Sequence, residues 1–172
     1  MTDHQNDVVP LEGYEPAEIF GDTPDPFGVD AWGITWRRKE HHVGIREEPD
    51  GRLVAHAGLV VLPVSAGGRR TDVVGLGGVA VAADRRGRGL ARAVVEGALD
   101  RARGLGPGAA ILFCRPDVAG LYARLGWRPL EGPVEVEQPA GPVEMPLRTM
   151  WFPLHEGARW PAGAVRLHSL PM

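Results

Sequence analysis

The sequence predicts a mixed α/β domain: one sheet of largely antiparallel strands with helices packed on it. Three observations carry this expectation. Residues 41–45, 52–64 and 71–81 are β-rich and are parted by turn signals at Pro49-Asp50-Gly51 and Ala66-Gly67-Gly68. Leu90 to Arg103 has helical periodicity, and Ala110 to Cys114 is a short all-apolar run of the kind that forms a buried strand. Strands, a helix, a strand, a helix and closing strands make a mixed sheet covered by helices.

Residues 1–30 are broken by Pro or Gly at 10, 13, 16, 21, 24, 26 and 28, so only a short helix near Pro16 to Phe20 is expected there. The first two β-rich stretches read as an antiparallel hairpin. The third, Thr71 to Val81, contains Gly75, Gly77 and Gly78, which are costly in a strand unless a bulge or a close backbone approach requires them. In the helix that follows, Leu90, Ala91, Val94, Val95, Ala98 and Ala102 share one face, with Arg92, Glu96, Asp100 and Arg103 away from it. Gly104, Gly106, Pro107 and Gly108 end it. A second helix is expected with Asp117 as its cap, Val118, Leu121, Tyr122 and Leu125 at helical spacing, and Gly126 past its end. Val134 to Val136 and Met150 to Leu154 are read as the last strands.

The chain of 172 residues, 44% apolar, shows no repeat, and is read as a single domain over 1–172. A net charge of −3 supplies no basic field, so nucleic acid is not an expected partner. The single cysteine, Cys114, excludes an intramolecular disulfide, and the flanking Ile111-Leu112-Phe113 predicts an inert, buried thiol. The opening MTDHQNDVVPLEGYEP has no positive n-region, and no stretch approaches the roughly 20 apolar residues that span a bilayer. A soluble, cytoplasmic protein with no membrane partner is expected. The histidines lack metal-ligand spacing with acidic neighbours, so no metal is expected. Lys39 is the only lysine.

The chemistry is expected in Arg86-Gly87-Arg88-Gly89-Leu90-Ala91, between a strand and a helix. Small residues let backbone N–H groups converge there, and the helix start supplies unpaired donors and the positive end of its dipole. A diphosphate suits such a site. The run is neither G-x-G-x-x-G nor a P-loop, and taken alone it also reads as a solvated, Arg-rich turn.

Val79-Ala80-Val81, the R-x-x-G-x-A run of Arg86, Gly89 and Ala91, and Leu121-Tyr122-Ala123-Arg124-Leu125-Gly126-Trp127 together resemble the GCN5-related N-acetyltransferase (GNAT) superfamily over roughly residues 41–130. The resemblance implies the GNAT fold, with splayed central strands, and acyl transfer from acetyl-CoA, as co-substrate, to an amine. It makes Val79, Ala80 and Val81 the main-chain binders of pantetheine, with a backbone N–H near Val79 for the thioester oxyanion. It makes Arg86, Gly87, Arg88, Gly89, Leu90 and Ala91 the pyrophosphate site. Tyr122 matches the family tyrosine that protonates the departing thiolate; as a residue it also reads as a core aromatic. Where the family often has Asn, seven residues before this tyrosine, this chain has Arg115.

Leu53 to Gly58, Tyr122 through Pro129, Glu131-Gly132-Pro133, Gln138 to Pro142 and Trp160 to Val165 are similar to the aminoglycoside 2′-N-acetyltransferases, and the tail also to the nodulation N-acyltransferases. This implies an aminosugar-type antibiotic as the small-molecule amine acceptor, with residues 131–172 shaping its site. Those enzymes carry a carboxylate just before Val-Ala-Val, where this chain has Gly77. His56, His41 and His42 are the candidate replacements, alongside a water chain acting on an amine of lowered pKa. Asp30, Trp32, His42 and Gly77 are the expected acceptor contacts. Trp36, Asp25, Glu40, Glu135, Glu137 and Glu144 are further candidates. Met145-Pro146-Leu147-Arg148 replaces an acidic run of the family, which points to a small or weakly charged acceptor such as kasugamycin. The superfamily's habit of dimerising through late strands implies a homodimer, for which Met150-Trp151-Phe152 are suited, though the same residues suit an interior. Other acceptors, namely a protein N-terminus, a polyamine or a metabolite amine, stay open, as does a non-catalytic acyl-CoA-binding module.

Overall fold

The computed structural model describes residues 7–172; the first six residues of the opening stretch read above lie outside the described residues. Its elements are β1 (Val8–Leu11), α1 (Ala17–Phe20), β2 (His41–Glu47), β3 (Arg52–Ala66), β4 (Arg69–Val81), α2 (Leu90–Arg103), β5 (Ala109–Cys114), α3 (Ala119–Arg124), β6 (Arg128–Pro129), β7 (Val134–Val136), β8 (Val143–Glu144), β9 (Arg148–Pro153) and β10 (Val165–Leu167). One sheet runs β6-β9-β5-β4-β3-β10-β7-β8, with β2 also pairing β3 and β1 pairing β2. Among the described residues only β4 with β5 and β10 with β7 are parallel. The fold is the mixed, mostly antiparallel sheet with few helices that the sequence predicts.

Strand β3 organises the sheet because it is long enough to serve two neighbours on one edge. Its first half pairs with β2, and its end, Val64 to Ala66, pairs with β10. Residues 53–60 are buried on both faces; beyond Val60 burial alternates. Ala55, Ala57 and Leu59 therefore join the core beneath α2, while Val60, Leu62 and Val64 belong to a second core on the opposite face. Helix α2 presents Leu90, Val94, Val95, Ala98, Leu99 and Ala102 to the first core. Each fully buried valine or leucine there contributes roughly 1.5–3 kcal/mol.

Two local expectations need correction. Asp117 does not cap α3: a turn of 3₁₀ helix over Pro116–Val118 precedes the helix, Val118 occupies the cap position, and the Asp117 carboxylate instead accepts from Arg115 at 3.0 Å. Met150 and Trp151 are buried within one protomer, where β9 lies between β5 and β6, so this stretch forms interior rather than a free dimer face.

The feature that creates a site is the separation of β4 from β5. They pair only at Val74↔Ala110 and Gly75↔Ile111, although β4 continues to Val81 and β5 to Cys114. Beyond Gly75 the two strands diverge.

Candidate functional site

The divergence opens a cavity of about 910 Å³. Leu76 to Val81 line one wall, Leu112 to Arg115 with Leu121 and Tyr122 line the other, and the start of α2 closes one end. A smaller cavity of about 500 Å³ runs along Phe152–Arg159, away from these strands.

At the α2 end the backbone presents unpaired donors to the cavity. Gly87 and Gly89 sit at φ 78° and 77°, a region in which a side chain is strained, and a Cβ at either would meet nothing within 4 Å. Ala93 N–H donates to Gly89 O at 3.0 Å, so the N–H groups of Leu90, Ala91 and Arg92 precede the helical ladder and have no helical partner. No acidic residue occupies the first turn. Arg86, Gly87, Gly89, Leu90, Ala91 and Arg92 all line the cavity; Arg88 does not. Three converging donors, the helix dipole and room at both glycines fit a diphosphate.

The turn before α2 is braced. Arg85 grips Glu47 with a fork of 2.6 and 2.9 Å and reaches Asp84 at 2.8 Å, and Arg52 holds Asp84 at 2.7 and 2.8 Å. Hydrogen bonding to Arg52 holds the Asp84 carboxyl down at about 2, and the Arg85 fork lowers that of Glu47. These pairs are solvated, so they position the loop more than they stabilise the fold.

In the β4 wall the glycines form a bulge. Gly58 faces Gly77 and His56 faces Ala80, so Gly78 and Val79 stand opposite the single residue Ala57. Gly78 has φ 62°, and its carbonyl accepts from His56 Nδ1 at 2.7 Å. The bulge takes this backbone out of one-to-one pairing and turns it toward the cavity, which Gly77, Gly78, Val79, Ala80 and Val81 line.

Across the cavity Tyr122 is 9% exposed and packs edge-on against Trp127 at 6.1 Å. Burial, and secondarily Cys114, push its phenol well above the usual value, so it keeps its proton. Burial likewise lifts the Cys114 thiol to about 11, which keeps it from being a nucleophile.

The remaining sequence-predicted residues divide. Asp25, Asp30, Trp36 and Gly77 line the cavity. Trp32, 38% exposed, does not. His56 is wholly buried behind the bulge, with Tyr14 stacked on its ring at 3.5 Å. Its Nε2 meets His42 Nδ1 at 2.9 Å. Burial first of all lowers the pKa of His56 to about 4 and also lowers that of His42. Neither imidazole lines the cavity. Of the carboxylates, Glu40 pairs with Arg37, and Glu135 and Glu137 pair with Arg166. Asp25 accepts from the N–H groups of Val29 and Asp30 at 2.9 and 3.1 Å, folding its loop. Among the described residues, no three acidic, His or Cys side chains cluster as metal ligands, and no helix is long and apolar enough to cross a membrane.

Sequence reasoning missed Lys39, which lies in the cavity wall beside Gly77 and Gly78. The one available signal was its being the only lysine beside so many arginines. It also missed Tyr14 and the Arg85 brace.

A family model described as an acetyltransferase (GNAT) domain matches residues 17–130. An aminoglycoside 2′-N-acetyltransferase of Mycolicibacterium fortuitum is 35% identical over 96 residues, which are 56% of this chain and 49% of that protein; the match thus spans about half the length of the relative. Among solved structures, a GNAT family N-acetyltransferase from Escherichia coli in complex with CoA superposes with a TM-score of 0.59 at 17% identity, covering 94% of this chain and 88% of that one. A GNAT family acetyltransferase from Brucella melitensis in complex with acetyl-CoA gives 0.54 at 20% identity, covering 96% and 98%. At these identities the structures speak for the fold.

Proposed function

The chain belongs to the acetyltransferase (GNAT) family, and on that premise we propose that it transfers an acetyl group from acetyl-CoA to the amine of a small aminosugar-type acceptor. The observation that carries the reading is the splayed cavity itself. It joins an anion cradle at the α2 terminus to a bulged strand and a protonated phenol.

The N–H groups of Leu90, Ala91 and Arg92 take the pyrophosphate, and the β4 backbone from Val79 to Val81 takes the pantetheine arm as an added strand would. A backbone N–H at the Gly78–Val79 bulge faces the thioester carbonyl oxygen and stabilises the charge that grows on it. The neutral amine nitrogen attacks the carbonyl carbon, forming a C–N bond. As the tetrahedral centre collapses, the C–S bond breaks and the sulfur takes its proton from Tyr122. The proton lost by the amine leaves to water, and the phenolate recovers one from solvent. Products are the acetamide and free CoA. His56, enclosed between Gly78 and His42, holds the bulge in shape and does not meet the acceptor.

An aminosugar acceptor is supported by the 35% identical relative, and a weakly charged one by the scarcity of free carboxylates along the cavity. The test is CoA release from acetyl-CoA with kasugamycin, kanamycin, spermidine and an N-terminal peptide. Turnover with the weakly charged aminosugar is expected. Tight acetyl-CoA binding without release across the panel marks a non-catalytic module and overturns the proposal.

A further inference from the structure

We infer that Lys39 selects the acceptor: its ammonium receives a carboxylate carried on the same molecule as the reacting amine. The inference rests on the acetyltransferase reading and names the substrate class of that same site.

The path of the Lys39 side chain is cut by three glycines. A Cβ added at Gly58 would stand 2.7 Å from Lys39 Cγ, and one at Gly77 would stand 2.7 Å from Cε and 3.3 Å from Nζ. Gly78 lies farther out, at 3.8 Å from Cε. Any side chain at Gly58 or Gly77 would displace the lysine. The apolar stem is thus laid along the sheet while Nζ is delivered to the cavity wall beside the Gly78–Val79 bulge, where the acyl carbon would lie.

Among the described residues Lys39 forms no ion pair, whereas Arg37, Arg46, Arg52, Arg85 and Arg115 each do. Burial lowers its pKa. Burial first of all lowers the pKa of His42 and His56, and the Lys39 charge adds to it in a minor way. The Met172 backbone oxygen lies 3.2 Å from the Cβ built at Gly77. A half-buried cation without a carboxylate is costly until a ligand supplies one. A polycationic acceptor meets repulsion here, whereas a zwitterionic aminosugar satisfies the site. The same positive charge disfavours protonation of the incoming amine, helping it attack without a dedicated base.

Glucosamine can be compared with muramic acid and 2-amino-2-deoxyglucuronic acid, which keep its amine and add a carboxylate. With the full chain, kcat/KM is expected to be at least tenfold higher for one of the acids. Lys39→Met abolishes that preference and Lys39→Arg retains part of it, with KM for acetyl-CoA unchanged. No preference in the unaltered protein, or an equal fall for acid and neutral sugar in Lys39→Met, overturns the inference. Because the chain has one lysine, ε-¹³C-lysine labelling gives one side-chain resonance to follow. Muramic acid is expected to move it and to raise its titration midpoint, and glucosamine is not. An unmoved resonance with either acid overturns the inference, even if no sugar is acetylated. Absence of CoA release with every acceptor overturns only the acetyltransferase reading.

Discussion

The Nδ1 of His56 lies 2.7 Å from the carbonyl oxygen of Gly78, so the only buried histidine among the described residues holds the one residue that bends β4 into the cavity. A carbonyl can only accept, so Nδ1 carries the proton, and Nε2 must accept from His42 Nδ1 at 2.9 Å. Both nitrogens are spent. His56→Phe keeps the ring stacked on Tyr14 but leaves Gly78 O without a donor. It is expected to cost about 1–3 kcal/mol of stability, read by urea denaturation, and to lower kcat as the bulge loosens. Loss of kcat and of the acid limb of its pH profile, with stability intact, is the signature of a base and would contradict this role.

The same histidine makes stability depend on pH. Its pKa falls from 6.5 to about 4 on folding, so the unfolded chain binds its proton first as pH drops. Stability from this group is complete above about pH 6.5 and lost progressively down to about pH 4, with a total of about 3 kcal/mol. His42, also lowered, acts in the same direction. Denaturation midpoints at pH 7.5, 6, 5 and 4 are expected to fall steadily, and the His56→Phe protein to fall less. Equal slopes for the two would remove His56 from the account.

Helix α2 was legible because apolar residues recur at helical spacing and glycines end it, and the Gly77-Gly78 pair was legible as a bulge or a close approach; the register shows the bulge, and Gly77 also makes room for Lys39. Strand β1 was hidden by Pro10 in the middle of Val8–Leu11. A proline is tolerated there because, among the described residues, β1 pairs only with β2. Strands β6, β8 and β10, of two or three residues, are too short to show a period. In the site, the sequence offered His56 as a base for the acceptor amine, whereas Tyr14 covers its ring. That cover comes from the Pro/Gly-broken first thirty residues. Lys39 escaped notice for a similar reason: its segment has no period, and its place is fixed by Gly58 and Gly77, distant in sequence.

Tyr122 separates chemistry from packing. Tyr122→Phe retains the edge contact with Trp127 and the buried ring, so its denaturation curve is expected to match that of the unaltered protein. If the phenol protonates the leaving sulfur, kcat falls by about 10², with little change in KM for acetyl-CoA. Burial holds its pKa high, so no limb of the kcat profile between pH 6 and 9 belongs to it. An unchanged kcat in stopped-time assays of CoA release would assign the proton to another donor.

The anion cradle allows a test in which affinity and stability move in opposite directions. Ala91 stands in the first turn of α2 and lines the cavity, and no acidic residue occupies that turn. Ala91→Glu places a carboxylate beside the unpaired N–H groups of Leu90, Ala91 and Arg92. Interaction with the helix dipole is expected to stabilise the free protein by about 0.3–1 kcal/mol, less the small propensity change. The same carboxylate occupies and repels the position that the pyrophosphate requires, so the dissociation constant of acetyl-CoA should rise tenfold or more in calorimetry. A merely damaged helix would lose stability and affinity together, and a cradle that binds no diphosphate would change stability alone. Only the opposed pair of results is what donors aimed at a diphosphate demand.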